Sequence, residues 1–185
     1  MSSHSHPVTL AVPLQPTDHI QGPDHARVTV MEYADFECPS CKVAAPTIKM
    51  LLDQFPNQIR FAYRHFPLEE AHPHALLAAE VSEAAAAQGK FWPMHDLLFR
   101  NQAHLHNKDL ARYAAALGLE LARYTAEMDD HIYLQKVREH LDSGRRSHIR
   151  ATPTFFVNGV VQDISFGMLA LHKAVEAAVA RPYHT

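Results

Sequence analysis

The chain contains two cysteines, Cys38 and Cys41, separated by Pro39 and Ser40. Only a thiolate attacks a disulfide, and a free cysteine with the ordinary pKa of about 8.5 is mostly protonated at neutral pH. Pro39 suits the first position of a helix, where an N–H would have no intrahelical partner. Cys38 is therefore predicted at a helix N-terminus, where unpaired N–H groups stabilise an anion. Cys41, one turn into the helix, is expected to be shielded.

This asymmetry predicts different roles for the two sulfurs. Cys38 attacks or is attacked and forms a mixed disulfide, and Cys41 resolves it. The dithiol itself carries two electrons, so no exogenous cofactor is predicted. The redox group is the Cys38-Cys41 disulfide.

Glu32 interrupts the β-branched and aromatic run from Arg27 to Ala34, which predicts a buried strand. A carboxyl inside an apolar strand has a raised pKa and could exchange a proton with Cys41. The alternative is a strand-end carboxylate that reaches solvent. Glu37, directly before Cys38, is expected to be exposed and to oppose thiolate formation modestly.

Around these residues the chain divides into four predicted parts. They are an N-terminal arm (1–24), a strand-helix-strand unit with the cysteines (25–67), a helical block (68–148) and a final hairpin with a helix (149–185). Helix stops at Gly89 and Gly118 predict four or five helices in the block, and Asn158-Gly159 predicts a two-residue hairpin turn. This order indicates an α/β sheet with a helical insertion. The cysteines fall at the carboxyl end of a strand, where such sheets carry their sites.

Composition excludes several classes of function. A chain of 185 residues with 47% apolar content forms one compact unit. A net charge of -3, with basic and acidic residues mixed, provides no basic stripe for nucleic acid. The absence of an apolar run of about 18 residues predicts no membrane span. The N-terminus lacks a basic region, and Pro13 and Pro16 interrupt its apolar part, so no signal peptide is predicted. With Met1 as the natural start the protein is predicted to be cytoplasmic, or periplasmic if a leader was trimmed.

A single Cys-x-x-Cys pair also occurs as half of a zinc site. Histidines would have to supply the other ligands; the first candidates, His65, His72 and His74, do not follow a Cys2His2 spacing. Three histidine pairs have a spacing of two, but no nearby carboxylate or cysteine completes a metal site; they are His4 with His6, His72 with His74, and His104 with His106. No metal is predicted. Two buried, inert cysteines are a further alternative.

Several motifs together resemble a known family. The segment from Cys38 to Pro46 resembles the active-site helix of thioredoxin-fold oxidoreductases. The large helical block before Thr152-Pro153 and the strand after it resemble the DsbA family of thiol-disulfide oxidoreductases. The spans 63–68 and 89–99 are similar to leaderless DsbA-like proteins. The resemblance covers Asp18 to Ala180 and implies a thioredoxin fold with a helical insertion between the second strand and a cis-proline strand.

The resemblance also implies site residues. Thr152-Pro153 would be a cis peptide bond facing Cys38, and the Thr152 backbone would bind the substrate chain; the alternative is a proline that only starts a strand. Glu32 would be the family's buried acid and relay a proton. Ser40 stands where the strongest oxidants of the family have a histidine, so the pair is expected to be less oxidising.

The predicted function is disulfide exchange with protein substrates and a redox partner through the Cys-Pro-Ser-Cys pair. Two alternatives remain open. One is a glutathione-dependent thiol transferase, and the other is a metal- or peptide-binding protein with the same fold.

Overall fold

The computed structural model describes residues 8–181. Five strands form one sheet in the order β1-β3-β2-β4-β5. The strands are His19–Gln21 (β1), Val28–Ala34 (β2), Ile59–His65 (β3), Thr154–Val157 (β4) and Val160–Gln162 (β5). The helices are Pro39–Gln54 (α1), Ala75–Ala86 (α2), Phe91–Arg100 (α3), Asn107–Ala116 (α4), Leu121–Asp129 (α5), Leu134–Arg146 (α6) and Leu169–Ala180 (α7).

The centre of the sheet is the parallel pair β2 and β3, which α1 connects. Almost all residues of both strands are buried, which explains their nearly continuous apolar character. Strand β4 pairs antiparallel with the other edge of β2. This topology brings the start of α1 and the segment before β4 to the same end of the sheet.

The predicted order of elements is confirmed. Five helices lie between β3 and β4, within the predicted four or five. Asn158 and Gly159 form the hairpin turn with positive φ angles of 48° and 78°. Among the described residues, no helix combines the length and apolar character needed to cross a membrane.

Strand β1 was not predicted; its three residues lie within the segment assigned to the N-terminal arm. It pairs antiparallel with β3 at the edge of the sheet. Beside it, the buried Arg64 guanidinium donates to both Asp18 carboxylate oxygens at 2.7 Å and to the Pro13 carbonyl at 2.7 Å. These contacts hold residues 13–21 on the sheet, a long-range arrangement that local periodicity does not reveal. The division into four parts stays a prediction.

The two faces of the sheet carry different cores. The larger apolar cluster includes both cysteines together with residues of α1, α7 and the helical block. The smaller cluster contains Tyr33 and Phe66 and is covered by α6. Gly144 permits this close contact, because a Cβ atom at that position would lie 2.6 Å from the Phe66 ring.

Candidate active site

Cys38 is the N-cap residue of α1 and has extended backbone angles. Its side chain is mostly buried, with 6% of the residue exposed. The largest influence on the pKa of this side chain is a hydrogen bond from the Cys41 thiol. Together with the N–H groups of Ser40 and Cys41, this bond outweighs the opposite effect of burial and lowers the pKa of Cys38 to about 5. A helix start thus provides the stabilised thiolate that attack on a disulfide requires.

Cys41 has the opposite environment. It is fully buried, and this burial raises the pKa of its thiol far above the usual range. The hydrogen bond to Cys38 raises it further, because the bond requires the Cys41 proton. Both cysteines are free thiols in the structure, so a disulfide between them stays a prediction.

Thr152 and Pro153 lie against Cys38. The bond between them is cis, as the resemblance implies, and β4 begins directly afterwards at Thr154. Cys38 Sγ lies 3.3 Å from the Thr152 carbonyl oxygen, to which the thiol donates. The segment before β4 therefore forms one wall beside the reactive sulfur.

An open groove of about 610 Å³ lies beside this wall. Pro39, Ser40 and Val43 of the α1 start line one side, and the segments 151–154 and 161–168 provide further lining residues. Val43 is 71% exposed, and Phe166, between two lining residues, is 93% exposed. An apolar surface next to the sulfur is therefore open to a protein chain.

Glu32 is buried, with 2% of the residue exposed. Burial raises the pKa of its carboxyl to about 8, and the neighbouring Cys38 thiolate adds to this rise. Its Oε1 atom has no hydrogen-bond partner in the described part of the chain. The carboxyl is buried, so the alternative of a strand-end carboxylate that reaches solvent is wrong, while the role of Glu32 as a proton relay stays a prediction.

The prediction that Glu37 is exposed is wrong. Its carboxylate accepts hydrogen bonds from the His74 backbone N–H at 2.7 Å and from His74 Nδ1 at 2.8 Å. Next to it, His72 Nδ1 lies 2.7 Å from Asp35 Oδ2. The turn before α2 thus brings carboxylates to His72 and His74, from residues more than 30 positions away.

The described residues provide no metal site at the cysteines. Across residues 8–181, one group has atoms close enough to hold an ion, His19, His65 and Glu83, and it includes neither cysteine. Lys136 Nζ already lies 2.8 Å from Glu83 Oε2 and 3.2 Å from His19 Nε2, so a cation neutralises this cluster. His4 and His6 lie outside the described residues.

Gln102 is a site residue for which the sequence carried no signal. Its side-chain amide donates to the carbonyl oxygens of Phe36 and Cys38 at 2.9 and 2.8 Å. It lies just after α3, 61 residues beyond Cys41 in the chain. The helical block therefore holds the loop that carries Cys38, a contact that only the tertiary fold reveals.

Comparison with known proteins agrees with this geometry. A family model described as Thioredoxin matches residues 14–177. The chain belongs to this thioredoxin family. Two solved structures share the thioredoxin-like fold. A thioredoxin-like oxidoreductase from Silicibacter pomeroyi has a TM-score of 0.79 at 24% identity, covering 91% of this chain and 95% of that one. The α-DsbA1 protein of Wolbachia pipientis has a TM-score of 0.75 at 22% identity, covering 92% and 94%. The prediction of a DsbA-like thioredoxin fold with a helical insertion is confirmed.

The curated relatives that match most of this chain are named as antiporters rather than as thioredoxins. The Na(+)/H(+) antiporter NhaA 1 of Salinispora arenicola is 45% identical over 174 residues, which is 94% of this chain. The chain spans only about a quarter of that relative, 26% of its length.

The comparisons contradict the prediction of a cytoplasmic protein. A neighbour with the same thioredoxin fold, from Salmonella enterica serovar Typhimurium, is a periplasmic protein (TM-score 0.73, 16% identity, covering 90% of this chain and 92% of that one). The relatives at high identity are named antiporters. The prediction was based on the composition of the N-terminal segment, which carries no information on where a domain of this family works.

Proposed function

We propose that the chain is a thiol-disulfide oxidoreductase that exchanges disulfides with protein substrates. The observation that carries the proposal is the contrast between the two sulfurs. One is a thiol at the helix start with a pKa of about 5, and the other is a fully buried thiol hydrogen-bonded to it. The family membership and the oxidoreductase among the structural neighbours support the same chemistry.

The reaction follows from this arrangement. The Cys38 thiolate attacks a substrate disulfide, a mixed disulfide forms, and the second substrate sulfur leaves. Formation of the mixed disulfide removes the Cys38 thiolate charge that helps to raise the pKa of Glu32, which favours the ionised carboxylate. Cys41 then gives its proton to this carboxylate and attacks Cys38. This step forms the Cys38-Cys41 disulfide and releases the substrate. The reverse sequence donates a disulfide, and the direction depends on the potentials of the pair and its redox partner. The proposed reaction uses no cofactor besides the cysteine pair.

The groove supplies the substrate-binding part of the proposal. The Thr152 backbone next to the cis-Pro153 is proposed to bind the substrate chain in an extended form. Pro39 and Ser40 line the same groove, where the substrate sulfur would approach Cys38. The apolar lining favours exposed chain segments of proteins over small polar thiols.

Variants of the two cysteines test this function. Cys41→Ser is expected to trap a mixed disulfide with a disulfide-bonded test protein, detected as a mass increase that a reductant reverses. Cys38→Ser should form no adduct and lack insulin-reducing activity. Full turnover by Cys38→Ser would refute the proposal.

The same variants test the two rival functions. A glutathione-dependent transferase needs only Cys38, so turnover with glutathione that survives in Cys41→Ser would favour that activity. A metal-binding protein would contain near-stoichiometric zinc that is released when the thiols are alkylated.

The identity with a segment of antiporters favours a second candidate function, redox control of a Na(+)/H(+) antiporter. Sodium-proton exchange in vesicles that contain the Salinispora antiporter would be compared before and after deletion of the segment that matches this chain. A rate that responds to oxidant only in the unmodified protein would support this role. An identical response in both would exclude it.

A further inference from the structure

A second cavity reaches Glu32 by a route separate from the substrate groove. It has a volume of about 360 Å³, and none of its lining residues lines the groove. Helix α1 contributes Lys49 and Asp53 to it, and α3 contributes His95 and Asp96. The side chains of Lys49, Asp53 and Asp96 are all more than half exposed, so this cavity opens to solvent.

Three buried side chains in this region have a polar atom without a hydrogen-bond partner among the described residues. The atoms are Glu32 Oε1, Tyr63 Oη and His95 Nε2. Tyr63 is the cross-strand partner of Glu32, and its ring lies 5.0 Å from the His95 ring, centroid to centroid. Buried polar groups are nearly always paired with protein or water. Glu32 and His95 line the cavity, and Tyr63 lies beside both of them, so this is a place for water and for proton exchange.

The hydrogen bond to Asp96 fixes the proton position on His95. His95 Nδ1 lies 2.9 Å from Asp96 Oδ1, so the Nδ1–H donates to the carboxylate. In neutral imidazole the other nitrogen, Nε2, then has a free lone pair. His95 therefore presents a proton acceptor in the same region as Glu32, and Asp96 connects it to the surface.

We propose that His95, oriented by Asp96, transfers the proton between Glu32 and solvent through this cavity. The inference rests on the proposed function. During resolution of a mixed disulfide the groove is filled by substrate, so a proton on Glu32 needs a different exit. His95 is a positioning residue for this reaction, because it touches neither the substrate nor the two sulfurs.

The proton balance of the step is complete. As Cys41 attacks Cys38, the S–H bond of Cys41 breaks and its proton goes to the Glu32 carboxylate. The Cys41–Cys38 bond forms, and the substrate sulfur leaves with the electron pair of the broken disulfide bond. Glu32 passes the proton through cavity water to His95 Nε2, and His95 releases it at the cavity opening. Glu32 and His95 return to their starting states.

The test separates the two steps of exchange with a disulfide-bonded peptide as the probe. Reduced protein is mixed with the peptide, quenched with acid at intervals and analysed by mass spectrometry. In His95→Gln, formation of the mixed disulfide should keep its rate, while resolution slows on the order of 10²-fold, the lower range for a positioned acid-base group. His104→Gln, at an exposed histidine outside the cavity, is the matched control and should change neither rate.

Chemical rescue distinguishes a relay from a packing role, since His95 also contacts the rings of Phe36 and Phe99. In His95→Ala, added imidazole should restore the rate of resolution. If His95→Gln does not fold, Asp96→Asn, an exposed change, should slow the same step less strongly. Equal slowing of both steps, resolution at the normal rate, or no effect of imidazole on His95→Ala would overturn the relay. A Cys41→Ser variant that forms no mixed disulfide with the peptide would instead refute the proposed oxidoreductase function.

Discussion

The surroundings of Cys38 and Cys41 differ although one helical turn separates them. Cys38 caps the helix beside an open groove, and hydrogen bonds lower the pKa of its thiol to about 5. Cys41 lies inside the core next to the region of Glu32, and burial raises the pKa of its thiol. The difference shows how one helix start can separate two tasks. In the proposed reaction the groove side carries the nucleophile and the substrate, and the interior side handles the proton.

The strongest test of this comparison is the reactivity of the two thiols. In the folded, reduced protein, iodoacetamide should label Cys38 with a midpoint near pH 5, following its thiolate. Cys41 should react more than about 10³-fold more slowly at pH 7, because each unit of pKa above the ambient pH lowers the thiolate fraction tenfold. Peptide mapping by mass spectrometry measures both rates.

The unfolded protein is the control for this experiment. In concentrated denaturant the two cysteines lose their different surroundings and should be labelled at similar rates. Equal labelling in the folded protein would contradict the assignment of Cys38 as nucleophile and Cys41 as resolving residue.

The buried Glu32 carboxyl predicts that the stability of the folded protein depends on pH. Below about pH 4.5 the Glu32 carboxyl is protonated in both the folded and the unfolded state. As the pH rises toward 8, the unfolded state ionises first, so folded-state stability falls and the loss is complete above pH 8. Glu32→Gln removes this penalty and should stabilise the reduced protein at pH 9 by up to about 5 kcal/mol, but not at pH 4.

Urea unfolding at the two pH values measures this difference. Glu69→Gln, at an exposed glutamate, is the matched control and should leave the free energy of unfolding unchanged at both. A Glu32→Gln variant with the same pH dependence as the wild type would show that the carboxyl is not held in a desolvated site.

The redox potential of the Cys38-Cys41 pair tests how far the surroundings of Cys38 stabilise its thiolate. A more stable thiolate makes the reduced form more stable and the disulfide more oxidising. The Cys38 pKa of about 5 lies between the values of about 7 for thioredoxin and about 3.5 for DsbA. The potential is therefore expected between about -270 and about -120 mV.

Equilibration of the pair with glutathione buffers measures this potential. The expectation agrees with Ser40 in the position where the strongest oxidants of the family have histidine. Ser40→His should make the pair more oxidising and is the matched variant. A wild-type potential of about -120 mV would contradict the interpretation that Ser40 makes the pair less oxidising.

The sequence predicted those parts of the molecule that depend on local chemistry. A proline after the first cysteine favours a helix start, so the environment of Cys38 could be predicted. An apolar run containing one acid left burial and solvent contact both open for Glu32, and the structure shows burial. The Asn158-Gly159 turn was also predictable, since both positions require positive φ.

Contacts between distant segments could not be predicted in this way. Strand β1 has only three residues, and a salt bridge between Asp18 and Arg64 holds the segment beside it. Glu37 was expected to be exposed because nothing in the local sequence places His74 beside it. Gln102 and His95 lie in the helical block, and only the fold brings their side chains toward the active-site loop and Glu32.

The smallest expected effect concerns the groove. A change there should alter substrate binding, measured as KM, without altering the reactivity of the two cysteines, measured as kcat. Phe166 is 93% exposed beside the groove. Phe166→Ser should raise the KM for a disulfide-bonded protein about tenfold, or about 1.4 kcal/mol, roughly half of what complete burial of a phenylalanine contributes. The kcat should stay the same, because the pKa values of the two cysteines do not depend on this ring.

Steady-state rates with a protein disulfide and with a small aromatic disulfide measure the separation. Leu121→Ser removes another exposed apolar side chain, 47% exposed and outside the groove lining, and should change neither rate. An equal loss with the small disulfide would mean that Phe166 supports the active-site geometry rather than the substrate. An unchanged KM for the protein disulfide would mean that bound substrates do not contact the Phe166 ring.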